Sequence, residues 1–303
     1  MKDNKLSRRT FICNTSLAAA GLTAGLASAV GQAARAKAPH IVFVTGDDEY
    51  RSEITMPFIA QLFGRKNQFR CTVVYAVDPA TGQHNPKYQK NIEGLEALKT
   101  ADLAVFFMRF RALPDAQLKL ILDYVNSGKP IVGLRTSTHA FRYPDGHKNA
   151  KYNDGFGRDV FGQKWIVHHG HESTTEVSII PEMSGHPILR GIYGSFPCSS
   201  WLYHVTPLVG DCKPLLVGRA VNSNKTKDQD KYPLTQPVAW TKSYKGARVF
   251  FMTLGHPKDF EEYAVRRLLM NGIYWATGLD VPEGGALAEP RDELAGWEAP
   301  ETH

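Results

Sequence analysis

The sequence predicts an α/β protein with a doubly wound, mainly parallel sheet in three layers, α/β/α. Two observations carry this. Apolar runs of strand length alternate with helix-spaced segments from His40 to Leu134, joined by tight connections. The runs are apolar throughout rather than at every second residue, as strands covered on both faces require. A β-α-β-α-β order of this kind crosses over right-handedly.

Taken in order, His40 to Val44 is the first strand, ending at Thr45-Gly46-Asp47-Asp48-Glu49-Tyr50-Arg51. Ser52 to Phe63 is a helix, with Ile54, Phe58, Ile59 and Leu62 on one face. Cys71 to Ala76 is a strand, followed by a polar loop from Asp78 to Lys90 and a short helix holding Leu95 and Leu98. Leu103 to Met108 is a strand that ends in Arg109-Phe110-Arg111. Pro114 and Asp115 open a helix to Val125, closed by Gly128. Pro130 to Leu134 is a strand that runs into Arg135, Thr136, Ser137, Thr138 and His139.

From Arg142 to Trp165 the alternation stops, and the stretch reads as an irregular insertion. Thr175 to Ile180, Pro214 to Val217, Pro237 to Thr241 and Arg248 to Leu254 are further strands, and Asn222 to Tyr232 is a charged loop. Asp259 to Thr277 is one long amphipathic helix, with Ala264, Leu268, Leu269, Ile273 and Trp275 apolar. No internal repeat is visible. The predicted organisation is a signal over 1–36, one domain over 37–280, and an extended tail over 281–303.

The 303 residues are 43% hydrophobic and 22% charged, which is ordinary globular composition. The net charge of +6 is concentrated at the start. Lys2, Lys5, Arg8, Arg9 and Arg35 stand against Asp3, leaving the remainder near +2, which argues against a nucleic-acid partner. Ser7-Arg8-Arg9-Thr10-Phe11-Ile12 is a twin-arginine export motif. It precedes a weakly apolar stretch from Leu17 to Val30 and a small-residue cleavage site at Ala34-Arg35-Ala36, with Ala27-Ser28-Ala29 as the alternative. The apolar run is too short and too rich in Ala and Gly to span a bilayer. The expected location is therefore periplasmic or exported, with no stable membrane anchor after cleavage. Beyond Cys13 in the signal there are three cysteines, Cys71, Cys198 and Cys212. Either Cys198 pairs with Cys212 in an oxidising compartment or all three are small buried side chains.

In open parallel sheets ligands sit outside the carboxyl ends of the strands. Four strand ends carry ionisable groups there: Asp47, Asp48 and Glu49; Arg109 and Arg111; Arg135 and His139; and Gly255-His256-Pro257. Acid, guanidinium and imidazole at one edge suit polyol or carbonyl chemistry. Each residue also has a plainer reading, since an Asp after a strand caps helices and Arg109 and Arg111 can simply pair with the acids.

A second cluster is His168-His169-Gly170-His171, where imidazoles suggest a transition metal, although neighbours on a strand face opposite ways. Trp201, Tyr203 and His204 add rings able to stack on a sugar. No G-x-S-x-G elbow is present, so a serine hydrolase is not expected.

The stretches VTGDDEYRSE, MRFRALPD, GKPIVGLRTSTHAF, HHGHESTT, GHPILRGI, SSWLYHVTPL, PVAWTKSY and RVFFMTLGHPKDFE span residues 40–279 and resemble the ThuA-like, trehalose-utilisation family. The resemblance implies a flavodoxin-like, class I glutamine amidotransferase-like fold, an exported member, and an association with trehalose and 3-keto disaccharides. Amidotransferases of that fold carry a Cys nucleophile after the matching strand, where this chain has Gly133-Leu134-Arg135. Without the thiol, glutamine hydrolysis is not expected.

The functional expectation is a carbohydrate-processing protein acting on a sugar or keto-sugar by acid–base chemistry. His139, His256, Asp48 and Glu49 are the catalytic candidates. Asp47, Arg109, Arg111, Arg135, Thr136, His169, Trp201, Tyr203 and His204 are the substrate contacts. Arg109 and Arg135 would polarise a carbonyl or steady an enolate. The alternatives are a non-catalytic sugar-binding module or complex subunit, and a metal-dependent hydrolase using His168, His169 and His171. No cofactor is predicted; the partner expected is a small carbohydrate, and a homodimer is the family-level expectation.

Overall fold

The computed structural model describes residues 38–67, 69–288 and 299–302. The expected signal over 1–36 lies outside the described residues, as do 289–298 and 303 of the expected tail. The elements, in chain order, are β1 (His40–Gly46), α1 (Ser52–Asn67), β2 (Arg70–Asp78), β3 (Gln83–His84), β4 (Ile92–Glu93), β5 (Leu103–Met108), α2 (Asp115–Val125) and β6 (Ile131–Leu134). They continue with α3 (Lys151–Phe156), β7 (Val167–His168), β8 (Thr174–Ile179), β9 (Ser195–Cys198), β10 (Tyr203–His204), β11 (Lys213–Val221), β12 (Thr235–Tyr244), β13 (Ala247–Met252) and α4 (Tyr263–Thr277).

One mixed sheet runs in the order β3-β2-β1-β5-β6-β13-β12-β11-β8-β9, with β4 also on β2, and a two-stranded pair joins β10 to β7. The strands β2, β1, β5, β6 and β13 are parallel neighbours. Beyond β13 the sheet is antiparallel, because β11, β12 and β13 follow one another by direct reversals. The expected parallel core is therefore joined to an antiparallel half of comparable size.

Alternate residues of each core strand feed opposite faces. Ile41, Phe43, Val105, Phe107, Leu134 and Met252 pack against α1 and α4. Val42, Val44, Ala104, Phe106, Ile131 and Phe251 pack beneath α2 and α3. Helices thus cover both faces, and the parallel strands are buried along their whole length, which is why they read as unbroken apolar runs.

Several local expectations need correcting. The stretch 142–165 contains α3 and a π turn over Gly157–Phe161, which lack a 3.6-residue apolar period. The final helix is not continuous from Asp259. His256 caps a 3-10 turn over Pro257–Glu261, and α4 starts afresh with Glu262 accepting from the Ala264 N–H. β9 carries Pro197 and sits at a sheet edge, where a missing donor is tolerated. Among the described residues Cys71, Cys198 and Cys212 are free: Cys198 packs on one face of the sheet and Cys212 on the other, so they cannot pair. Among the described residues no helix is long and apolar enough to cross a membrane.

Candidate functional site

Because β1, β5, β6 and β13 are parallel, the segments following them meet at one edge. The loops 163–174 and 199–206, tied by the Tyr203–His168 and His204–Val167 pairing, arrive at the same edge. Together they build a wall of rings. Phe110 lies 5.0 Å from His139, His139 5.6 Å from Trp165, and Trp165 6.5 Å from His168. His168 lies 5.1 Å from Trp201, Trp201 5.9 Å from Tyr50, and Tyr50 6.2 Å from His256, all between ring centroids. Trp165, His168, Trp201 and His256 keep exposed surface, and His139 keeps 8%.

Arg135 is the hub beneath this wall. It follows β6 with φ 37°, a left-handed backbone that a long side chain adopts only when held. Its guanidinium carbon sits 4.3 Å from the Tyr50 ring centroid and 4.4 Å from that of Tyr203. It donates to the carbonyls of Trp201 (3.2 Å) and Thr253 (2.9 Å) and to the Tyr50 hydroxyl (2.9 Å). Among the described residues no carboxylate reaches ion-pairing distance of it. Cation–π contact and three donated hydrogen bonds replace the lost hydration of a fully buried charge. The residue therefore ties three loops together.

A parallel tie joins the last two loops. Asp259, 1% exposed, accepts from the Ser200 hydroxyl at 2.5 Å, the Ser200 N–H at 3.0 Å and the Gly255 N–H at 2.9 Å. This fixes the Trp201 loop against the His256 loop.

The acids after β1 divide by role. Asp47 is buried and accepts the N–H groups of Glu49 (3.0 Å) and Tyr50 (2.8 Å), shaping the loop that presents Tyr50. Burial, only partly offset by those two bonds, pushes its carboxyl up to about 7. Asp48 accepts from Arg109 at 2.8 Å, and Glu49 lies 3.0 Å from the Arg109 Nε, a charge contact without hydrogen-bond direction. Arg111 is wholly buried, donates to the carbonyls of Arg109 and Tyr88, and is pulled down to about 10 by desolvation.

The three histidines of the wall present different nitrogens. His256 Nδ1 accepts the Lys258 N–H at 3.2 Å and His168 Nδ1 accepts the Gly170 N–H at 3.0 Å, so in each neutral ring the proton is on Nε2. His139 is reversed. When the Thr138 hydroxyl donates to the Arg135 carbonyl at 3.2 Å it accepts from His139 Nδ1 at 3.0 Å, and that arrangement leaves a lone pair on Nε2. Burial, then the charges of Arg109, Arg135 and Arg142, hold His139 well below the ordinary imidazole value. Burial lowers His256, and burial with the His171 and Arg135 charges brings His168 to about 4. At neutral pH the edge thus offers one imidazole acceptor and two imidazole donors.

Of the expected residues, the structure brings Asp48, Glu49, Arg109, His139, His256 and Trp201 to the rim. Asp47, Arg111, Arg135, Thr136 and His169 are fully buried and Tyr203 keeps 3%, so they lie beneath the rim. His204 packs at 88° to the Tyr232 ring, with 5.4 Å between centroids. The expected metal set does not converge. His169 bonds Ser223 at 2.9 Å while His168 and His171 lean on Trp201, as opposite-facing strand neighbours must. Among the described residues no group of three or more His, Cys, Asp or Glu could hold a metal ion. Tyr50, Phe110, Arg142 and Trp165 were not picked out by sequence. The only hint was that each sits within six residues of a strand end or histidine that was.

A family model described as ThuA, trehalose utilisation, matches residues 41–276. A ThuA-like protein from Bacteroides uniformis superposes with a TM-score of 0.55 at 19% identity, covering 84% of this chain and 98% of that one. A ThuA-like protein from Parabacteroides merdae gives a TM-score of 0.55 at 16% identity, over 80% and 92% of the two chains. These likenesses speak to the fold. No curated protein matches the chain.

Proposed function

Because the chain belongs to the ThuA, trehalose-utilisation family, we propose that it is an exported carbohydrate-processing protein acting on a sugar or keto-sugar by acid–base chemistry. The observation that carries this reading is the set of contacts made by the three Nδ1 atoms of the ring wall: those of His256 and His168 accept backbone N–H groups, which makes their Nε2 atoms donors, and that of His139 meets the Thr138 hydroxyl, which supports an acceptor at its Nε2.

A carbonyl acidifies the neighbouring C–H, so a keto-sugar needs no cofactor for elimination or isomerisation. His139 Nε2 takes that proton, and the C–H electron pair moves onto the carbonyl oxygen as an enolate. The guanidiniums around His139 favour the developing negative charge. In elimination the enolate collapses as the bond to the β-oxygen breaks, and that oxygen takes a proton from His256 or His168. Trp201 and Trp165 offer faces on which a sugar ring stacks. The amidotransferase-like, doubly wound relationship is consistent with the parallel core, with Arg135 standing where a thiol would be needed for glutamine hydrolysis. Export rests on the twin-arginine motif at Ser7–Ile12.

Incubating the protein with 3-keto-trehalose and related keto-glycosides tests the proposal: substrate loss is expected, and neither consumption nor binding across a broad panel removes it. The second reading, a sugar binder without turnover, is favoured by the pairing of Asp48 and Glu49 with Arg109, which leaves those acids little freedom as bases. Calorimetry showing sugar binding without conversion selects it.

A further inference from the structure

We propose that the His139 end of the rim binds a carboxylate carried by the sugar, and that Arg142 is the residue that reads its charge. The inference deepens the carbohydrate reading and rests on it.

The rim is electrically lopsided. Arg109, Arg135 and Arg142 all act on His139, and no acid acts on it in return. Two acids of the rim are committed: Asp48 and Glu49 hold Arg109, and Asp48 lies 3.9 Å from Arg111. At the other end His256 feels Asp259 and Glu301, which favour its cationic form, against Arg135 and Lys258. A ligand with an anionic end is therefore oriented, with that end toward His139.

Arg142 is built to be available there. Its guanidinium carbon sits 4.2 Å from the Phe110 ring centroid, and that of Arg109 sits 4.3 Å from the same centroid. Phe110 holds φ 53°, a backbone bulky residues rarely adopt, and its N–H donates to the His139 carbonyl at 3.0 Å. The strained ring thus supports two guanidiniums beside the imidazole. Arg142 is exposed and makes no ion pair among the described residues. It also lines an open concavity of about 490 Å³ with Tyr143, Pro144, Asp145 and Asn153, which gives a substituent room. Asp145, the acid of that concavity, is exposed and unpaired with Arg142. A planar carboxylate matches a guanidinium fork in two bonds.

The test is calorimetric titration of the whole protein with glucuronate, glucose, glucosamine and acetate at low and moderate salt, repeated with Arg142→Gln. Glucuronate is expected to bind about tenfold or more tighter than glucose, glucosamine weakest, with the gap narrowing in salt. Arg142→Gln should erase the glucuronate advantage over glucose. Equal binding of glucose and glucuronate, unmoved by Arg142→Gln, overturns the inference while the carbohydrate reading stands. Acetate binding as tightly as glucuronate also overturns it, marking a bare anion site. No binding by any of these sugars overturns the inference, and no binding by the keto-glycoside panel as well overturns the carbohydrate reading itself.

Discussion

Replacing Asp47 by asparagine should change stability in a way that depends on pH. Asp47 is fully buried, and its carboxyl is raised from 3.8 to about 7 by desolvation, despite two accepted N–H bonds. A raised acid binds its proton more tightly in the folded state, so between pH 3.8 and about 7 the folded protein holds more protons than the unfolded chain. Stability from this group therefore falls as pH rises through that window. The whole displacement corresponds to about 4 kcal/mol, of which roughly half to two-thirds develops between pH 5 and pH 8. An asparagine side chain does not ionise and escapes that loss. It keeps one acceptor oxygen and leaves one N–H of Glu49 or Tyr50 unpaired, a cost of about 1–3 kcal/mol at every pH. The Asp47→Asn variant should thus be the less stable protein at pH 4 and gain on the wild type by about 2–3 kcal/mol from pH 5 to pH 8. Urea unfolding of both proteins across pH 4–9 measures the difference, and the other titrating groups cancel in it. A stability gap that stays constant across that range would mean that Asp47 is ionised throughout, and the account of its loop would be wrong.

Other variants address the site. His139→Gln should lower turnover of a keto-sugar roughly 10²- to 10⁴-fold with ligand affinity retained. In the wild type the rate should rise with pH at values below 6.5 and then level, since His139 must be neutral to accept a proton and is held well below that value. Asp259→Ala leaves the Ser200 and Gly255 donors buried without their acceptor, and thermal or urea unfolding should show a loss of about 3–5 kcal/mol. Gly157→Ala would put a Cβ 2.0 Å from the Thr138 carbonyl oxygen. A loss of about 1–3 kcal/mol is expected in urea unfolding, together with a shifted His139 imidazole signal in NMR.

The parallel core was legible because burial on both faces leaves unbroken apolar runs; Leu103–Met108 and Asp115–Val125 stand where sequence placed them. The converging strand ends were legible for the same reason, since parallel strands bring their carboxyl ends to one edge. What sequence could not resolve was which way each side chain turns. Arg135 and His139 both end the β6 segment, yet one is wholly buried under two tyrosines and the other reaches the surface through a lone pair. Asp47 and Asp48 are adjacent, and one shapes the backbone while the other pairs with Arg109. Trp165 and Phe110 were hidden in segments without periodicity, where position depends on long-range contacts. The histidine cluster was misleading because three neighbouring imidazoles on an extended segment cannot share one face.

The most direct trial of the acid–base account is proton exchange at the carbon beside the ketone of a bound keto-glycoside. In D2O, wild-type protein should introduce deuterium at that carbon, read by NMR, and His139→Gln should not, while still binding the sugar. Failure of the wild type to exchange that proton, with the sugar demonstrably bound, would contradict the role given to His139 and leave the ring wall a binding surface alone.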